Sequence, residues 1–228
     1  MSVLETGGVW SGVGRRADAP AFDAALAAAG DLWLFAYGSL MWDPGFAYCA
    51  AKPALLYGHH RRFCVYSHGH RGTPERPGLV LGLDRGGACK GIAYRIPAVD
   101  VPDALAYLWA REMQSRVYQM KALRVRLKGG RIVKAYAFVV DRTHRDYAGD
   151  LSLAQTARLI RQGVGRRGSA HQYLENAVQE LTRLGLIDGP LHRLQRYVAG
   201  NTRGLDVRPS TARSRAPLRM RSEGVSSP

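Results

Sequence analysis

The stretch Leu32-Trp33-Leu34-Phe35-Ala36-Tyr37-Gly38-Ser39-Leu40-Met41-Trp42 opens as an apolar run and breaks into Tyr-Gly-Ser-Leu. Its first residues predict a buried strand. The Gly-Ser pair then forces a sharp exit, in which backbone N–H groups point outward instead of into a ladder. A strand that ends on free amide donors suits a carboxylate or a developing oxyanion. Such turns are common and mostly punctuate a chain, so the weight of this one depends on the residues around it.

Working outward, residues 1 to 30 are rich in Gly, Ala and Ser and read as a flexible leader, with a short helix over Phe22–Ala29. Downstream, Leu55–Ser67 is a second extended run and Pro74 to Gly78 marks a loop. Leu79–Asp84 and Lys90–Ile96 read as two strands of a hairpin about Arg85-Gly86-Gly87. Val101–Met113 changes to a helical period, with Pro102 in the first turn. Leu123–Lys128 and Arg131–Asp141 form a second hairpin about Gly129-Gly130. The last third is helical over Leu151–Gln162, Ala170–Leu184 and Pro190–Ala199, with Gly185 and Gly200 as stops. The expected class is α+β, a mixed and mainly antiparallel sheet curled toward a barrel with flanking helices. One folded domain is expected over residues 31–202, followed by a basic, disordered tail at 203–228.

With 228 residues, 46% of them hydrophobic, the chain has enough material for one domain with a sizeable core. No run of about 18 apolar residues is present, which argues against a membrane helix, and no secretory pattern is visible near the N-terminus. Cys49, Cys64 and Cys89 have no close pairing in sequence, which suggests reduced thiols and a cytoplasmic protein. The net charge of +15 raises nucleic acid as a partner. Arg203, Arg208, Arg213, Arg215, Arg219 and Arg221 against Asp206 and Glu223 place +4 of it in the tail. The rest is spread along the chain without the dense block expected of a groove reader, so a generally basic protein is favoured over nucleic-acid binding, and anionic small substrates are also compatible.

Glu112 is the candidate catalytic residue. It shares a helical stripe with Leu105, Leu108 and Trp109, the face that should bury against the sheet. A carboxylate there costs several kcal/mol unless it is paired, solvated in a cavity or shifted in pKa. Two readings stand: a helix-end Glu paired with Arg111, Arg116 or Arg61, or a general base whose pKa is raised by desolvation. His59, His60, His68 and His70 raise a metal site, but alternation sends His59 and His60 to opposite faces and no metal-ligand spacing is present. Ser39 lacks the Gly-x-Ser-x-Gly context of a nucleophile and reads as a donor. Cys64, in mid-strand, reads as core.

In order along the chain come Phe35-Ala36-Tyr37-Gly38-Ser39-Leu40-Met41-Trp42, Gly58-His59-His60-Arg61-Arg62-Phe63, Arg71-Gly72-Thr73-Pro74 and Pro77-Gly78-Leu79-Val80. Gly91-Ile92-Ala93-Tyr94-Arg95, Leu108-Trp109-Ala110-Arg111-Glu112-Met113 and Gln172-Tyr173-Leu174 follow. This ordered set, over roughly Leu32 to Val198, resembles the ChaC-type γ-glutamylcyclotransferases. The resemblance implies an enzyme that splits glutathione into 5-oxoproline and cysteinylglycine without metal or organic cofactor. It implies a compact mixed barrel, a substrate cradle from Leu34, Phe35, Ala36, Tyr37, Gly38 and Ser39 with Leu40 in the same loop, and Glu112 as acid/base. Arg71 and Tyr118 are placed as further pocket residues, although Arg71 serves equally well to order its own loop. Ala36 stands where the family more often has Gly, residues 113–118 lack glycines often found there, and His171 replaces a more usual Asn. The alternatives are a cyclotransferase for other γ-glutamyl amines or amino acids, and a non-enzymatic binder of acidic partners or nucleic acid.

Overall fold

The first strand, β1 (Leu32–Ala36), buries Leu34, Phe35 and Ala36 almost completely. The computed structural model describes residues 30–112 and 115–200. The expected leader, its helix over Phe22–Ala29, Met113, Gln114 and the basic tail fall outside them. Four more long strands follow: β2 (Ala50–Ser67), β3 (Gly78–Ile96), β4 (Tyr118–Leu127) and β5 (Ile132–Val140). They close into a barrel in the order β1-β3-β2-β4-β5. All pairings along that order are antiparallel, and the seam is the parallel bridge of Leu34 to Tyr136 between β1 and β5. The expected α+β barrel is therefore present.

The hairpin expected about Arg85-Gly86-Gly87 is a correction: β3 runs through these residues without turning back. Tyr57 pairs with Ala88 and His59 with Arg85, so β3 spends one extra residue against β2. Gly86 and Gly87 sit at φ 99° and 68°, in the left-handed region that glycine enters without a Cβ clash. The pair makes a bulge that bends the long strand around the barrel. The hairpin about Gly129-Gly130 is present as β4–β5, which pair from Tyr118↔Val140 to Arg126↔Ile132.

Helix α1 (Val101–Glu112) buries Val101, Ala104, Leu105 and Leu108, the stripe expected from its period. After β5 come α2 (Leu153–Gln162), the short hairpin β6 (Val164–Gly165) and β7 (Gly168–Ser169), α3 (Ala170–Arg183) and α4 (Gly189–Val198). Helix α2 packs on α3, α4 and β3. Each of these three helices is capped by a side chain: Ser152 in a capping box with Gln155, Ser169 accepting from Gln172 N–H, and Asp188 accepting from Leu191 N–H. A cap of this kind contributes about 1 kcal/mol. Among the described residues, no helix is long and apolar enough to cross a membrane.

Candidate active site

Beyond Ala36 the chain leaves the barrel through Tyr37 and Gly38 into a single 3-10 turn, Ser39–Met41. The Met41 N–H closes it by donating to Gly38 O at 2.9 Å. The amides of Ser39 and Leu40 open the turn and so have no partner within it. The Tyr37 carbonyl is fixed from behind by Arg61, whose Nη1 donates to it at 2.7 Å. The Arg61 side chain is wholly buried and its Nε lies 2.8 Å from Asp188 Oδ2; its Nη2 donates to Lys90 O. One buried guanidinium thus ties the exit of β1 to β3 and to the N-cap of α4.

A cavity of about 400 Å³ opens over the turn, lined by Tyr37, Gly38, Ser39, Leu40, Glu112, Tyr118 and Tyr173 on one side. Glu112 reaches it because α1 ends there, with its side chain 19% exposed and its Oε1 3.3 Å from Arg111 Nε. Arg111 in turn donates to Ser39 Oγ at 2.9 Å, to Tyr107 Oη at 2.6 Å and to Asp43 O at 2.8 Å. The end of α1 and the 3-10 turn are therefore held together by one side chain. Of the partners expected for Glu112, Arg61 is committed to Asp188 and Tyr37 instead. Glu112 has an arginine neighbour and also lines the cavity.

Burial pushes the Glu112 carboxyl above its ordinary value, while the Arg111 and Arg167 guanidiniums pull in the opposite direction. Tyr37 is raised well above an ordinary phenol by burial and then by the Glu112 charge. Tyr173 is pushed up to about 12 by the same two causes in the same order. Tyr118 is raised by burial, then by Tyr37, Tyr173 and Glu112. All three phenols are protonated at neutral pH. Tyr37 Oη donates to Phe138 O and Tyr118 Oη to Leu81 O, each at 2.8 Å, which stiffens the wall around the carboxylate.

The rest of the lining is largely basic. It comprises His68, Gly69, His70 and Arg71 from the loop after β2, with Asp146, Arg166 and Arg167. Arg71 Nη1 donates to Ser169 O at 3.3 Å and its guanidinium lies 5.2 Å from the Tyr173 ring centre. It therefore both lines the cavity and orders its loop. The β6–β7 turn is docked on that loop: Arg166 N–H donates to Gly69 O and Arg167 N–H to His70 O, each at 2.9 Å. A Cβ on Gly165 would stand 2.6 Å from Gly69 O, so the two backbones approach this closely only with glycine there.

Of the residues expected in the cradle, Tyr37, Gly38, Ser39, Leu40, Arg71, Tyr118 and Glu112 line the cavity. Leu34, Phe35 and Ala36 do not: they are buried in the barrel wall and position the turn. The strand stays paired to β3 up to Ala36↔Ile92 before the chain turns. Ala36 packs inside the barrel and His171 lies beside Glu175, at 3.7 Å. Cys64 is buried, as expected, and burial pushes its thiol up to about 12. Sequence reasoning missed Arg111 as a tether, Asp146, and the arginines of the β6–β7 turn. Tyr173 stood within a quoted motif, but nothing in its spacing marked it as cavity-lining.

A family model described as ChaC-like protein matches residues 32–201. The chain is 37% identical over 85% of its length to a glutathione-specific γ-glutamylcyclotransferase of Escherichia coli (strain K12), covering 84% of that protein. It is 31% identical over 77% of its length to γ-glutamylcyclotransferase 2-3 of Arabidopsis thaliana, covering 94% of that protein. Among solved structures, a yeast γ-glutamylcyclotransferase specific to glutathione superposes with a TM-score of 0.71, at 23% identity, covering 75% of this chain and 97% of that one; this likeness supports the fold. The barrel, the Tyr37–Leu40 turn facing Glu112 and the match across residues 32–201 agree: the chain belongs to the ChaC-like family.

Proposed function

We propose that this chain is a glutathione-specific γ-glutamylcyclotransferase with Glu112 as its proton shuttle. The observation that carries the reading is Glu112 itself, a carboxyl raised by burial, in a cavity it shares with Tyr37, Gly38 and Ser39. A relative 37% identical over 85% of the chain is named a glutathione-specific γ-glutamylcyclotransferase, and one 31% identical over 77% of it a γ-glutamylcyclotransferase.

In this reaction the substrate's own α-amine attacks its γ-carbonyl carbon. A new C–N bond closes the five-membered ring as the amine proton passes to the Glu112 carboxylate. The negative charge that forms on the carbonyl oxygen is met by the amides that open the Ser39–Met41 turn, donors already in place before charge develops. Collapse of this intermediate breaks the bond to the cysteinyl nitrogen, and Glu112 returns the proton to that leaving nitrogen. The shuttle needs a carboxyl that is ionised when the amine attacks and acidic enough to give the proton back; a value raised from the ordinary range suits both steps. The protonated phenols of Tyr37, Tyr118 and Tyr173 limit the water around the carboxylate and fix its surroundings. Because attack is intramolecular, much of the rate comes from holding one folded conformer of the γ-glutamyl group. No metal or organic cofactor enters these steps. The reading places the enzyme in the cytoplasm, where glutathione is the thiol pool.

Purified protein incubated with reduced glutathione is expected to release 5-oxoproline and cysteinylglycine, detected by mass spectrometry. No product from glutathione but turnover of γ-glutamyl-alanine would keep the cyclisation and reassign the substrate. No 5-oxoproline from either would overturn the reading.

A further inference from the structure

We propose that the Arg166–Arg167 turn is a subsite for the terminal carboxylate of the substrate's leaving dipeptide, and so a determinant of specificity for glutathione; this rests on the cyclotransferase reading above. The cavity lining holds two unlike groups of residues. One holds Glu112, the phenols and the Ser39–Met41 turn, which suits the reacting γ-glutamyl end. The other carries Arg71, Arg166, Arg167 and His70.

These cations crowd one another. The charges acting on His70 are those of Arg167, Arg166 and Arg71, all cationic, and Arg167 acts on Arg71 in the same sense. Among the described residues no ion pair joins Arg71, Arg166 or Arg167 to a carboxylate. Asp146 shares the wall but faces His68 Nε2 at 3.4 Å and His144 Nδ1 at 3.8 Å. Arg166 and Arg167 are exposed and Arg71 is half-buried, and the Arg167 charge also reaches Glu112; three cations about one cavity still favour the entry of an anion. Their placement is built rather than incidental, since both arginine amides are bonded to the loop after β2 and Gly165 lets the turn dock there.

The chemistry of the ligand follows from the distance between reacting bond and free end. Beyond the γ-amide, glutathione continues for two residues, Cys and Gly, and two residues reach at most about 7 Å. A cavity of about 400 Å³ is of a size to hold such a peptide. With the γ-carbonyl at the turn, the glycine carboxylate meets the basic wall, where a planar guanidinium can hold it with two parallel bonds. Arg71 is already spent in part on Ser169 O and the Tyr173 ring, which leaves Arg166 and Arg167 as the groups available to the ligand. A γ-glutamyl compound without a carboxylate at this distance would gain nothing from them.

The test compares the wild-type chain with an Arg166→Gln/Arg167→Gln variant on two probes: S-methylglutathione and its glycinamide, which lacks the terminal charge. Binding is read by calorimetry, and KM and kcat for glutathione by 5-oxoproline release. The variant is expected to bind S-methylglutathione about ten-fold or more weakly, the effect of losing a bond to a charged group, and to show a matching rise in the KM for glutathione, measured on the plateau above the acidic limb because the Arg167 charge also acts on Glu112. The glycinamide is expected to bind both proteins equally. Equal weakening for both probes, or for neither, would overturn the subsite. If the wild type forms no 5-oxoproline, the activity reading falls by itself and the binding ratio still judges the subsite; failure of the wild type to bind S-methylglutathione overturns the subsite as well.

Discussion

Replacing Arg111 by Met should move the pH dependence of the reaction, and the direction is fixed by the geometry. Arg111 Nε lies 3.3 Å from Glu112 Oε1, with side chains only 9% and 19% exposed. At that separation and an effective dielectric constant of about 20, the attraction is about 5 kcal/mol before desolvation is subtracted. An opposite charge this near lowers a carboxyl pKa by about one to three units. Arg111 also serves Ser39, Tyr107 and Asp43, so the lower end, about one unit, is expected. Burial already holds Glu112 above its ordinary value and Arg111 opposes it; removing Arg111 therefore raises the pKa further. The amine-accepting form is the carboxylate, so activity is present above that pKa and lost as pH falls through it. The acidic limb of kcat/KM for glutathione should thus shift upward by about one pH unit in Arg111→Met. Loss of the bond to Ser39 Oγ should also lower the plateau. A lowered plateau with an unmoved limb would mean that Arg111 only braces the turn, and a downward shift would refute the electrostatic account of Glu112.

Gly38→Val should raise KM severely while the protein still folds, because even a Cβ there would stand 3.2 Å from Tyr173 Oη; unchanged steady-state kinetics with intact circular dichroism would count against the cradle. Arg61→Met should cost about 3–5 kcal/mol of stability, since it leaves Asp188 without its buried partner and the Tyr37 carbonyl without a donor; denaturant unfolding measures it. Asp84, fully buried, is disfavoured as an anion by burial, but the bonds from Arg142 and Tyr147 outweigh this and hold its pKa below the ordinary value. Its contribution to stability is therefore present above the ordinary carboxylate pKa and lost as pH falls through the lowered one. Asp84→Asn should weaken the fold at neutral pH and flatten that acid loss in denaturant midpoints taken across the acid range.

The parts of the fold set by local pattern were legible in the sequence. The apolar run into Gly38-Ser39, the α1 stripe ending at Glu112 and the Gly129-Gly130 hairpin all follow from periodicity and turn chemistry acting over a few residues. Gly86-Gly87 misled because a positive-φ glycine pair has the same local signature in a hairpin turn and in a bulge; only the pairing of His59 with Arg85 distinguishes them. The sequence does not show where β1 stops pairing, which the structure places at Ala36↔Ile92. The basic wall was invisible for a different reason. Arg71 and Arg167 are far apart in sequence, and they meet only because the β6–β7 turn docks on the loop after β2. Arg111 was legible as a neighbour of Glu112, but its bond to Ser39 is made across the site.

The most direct test of the central claim is the turnover of glutathione by Glu112→Gln, followed as 5-oxoproline together with calorimetric binding of S-methylglutathione. The amide fills the same space beside Arg111 but cannot carry the proton. Binding within about two-fold of wild type is expected, with a loss in kcat of about a hundred-fold to ten-thousand-fold, the range that general acid–base catalysis supplies. A folded variant that binds the probe and retains nearly the wild-type kcat would contradict the assignment of the shuttle to Glu112.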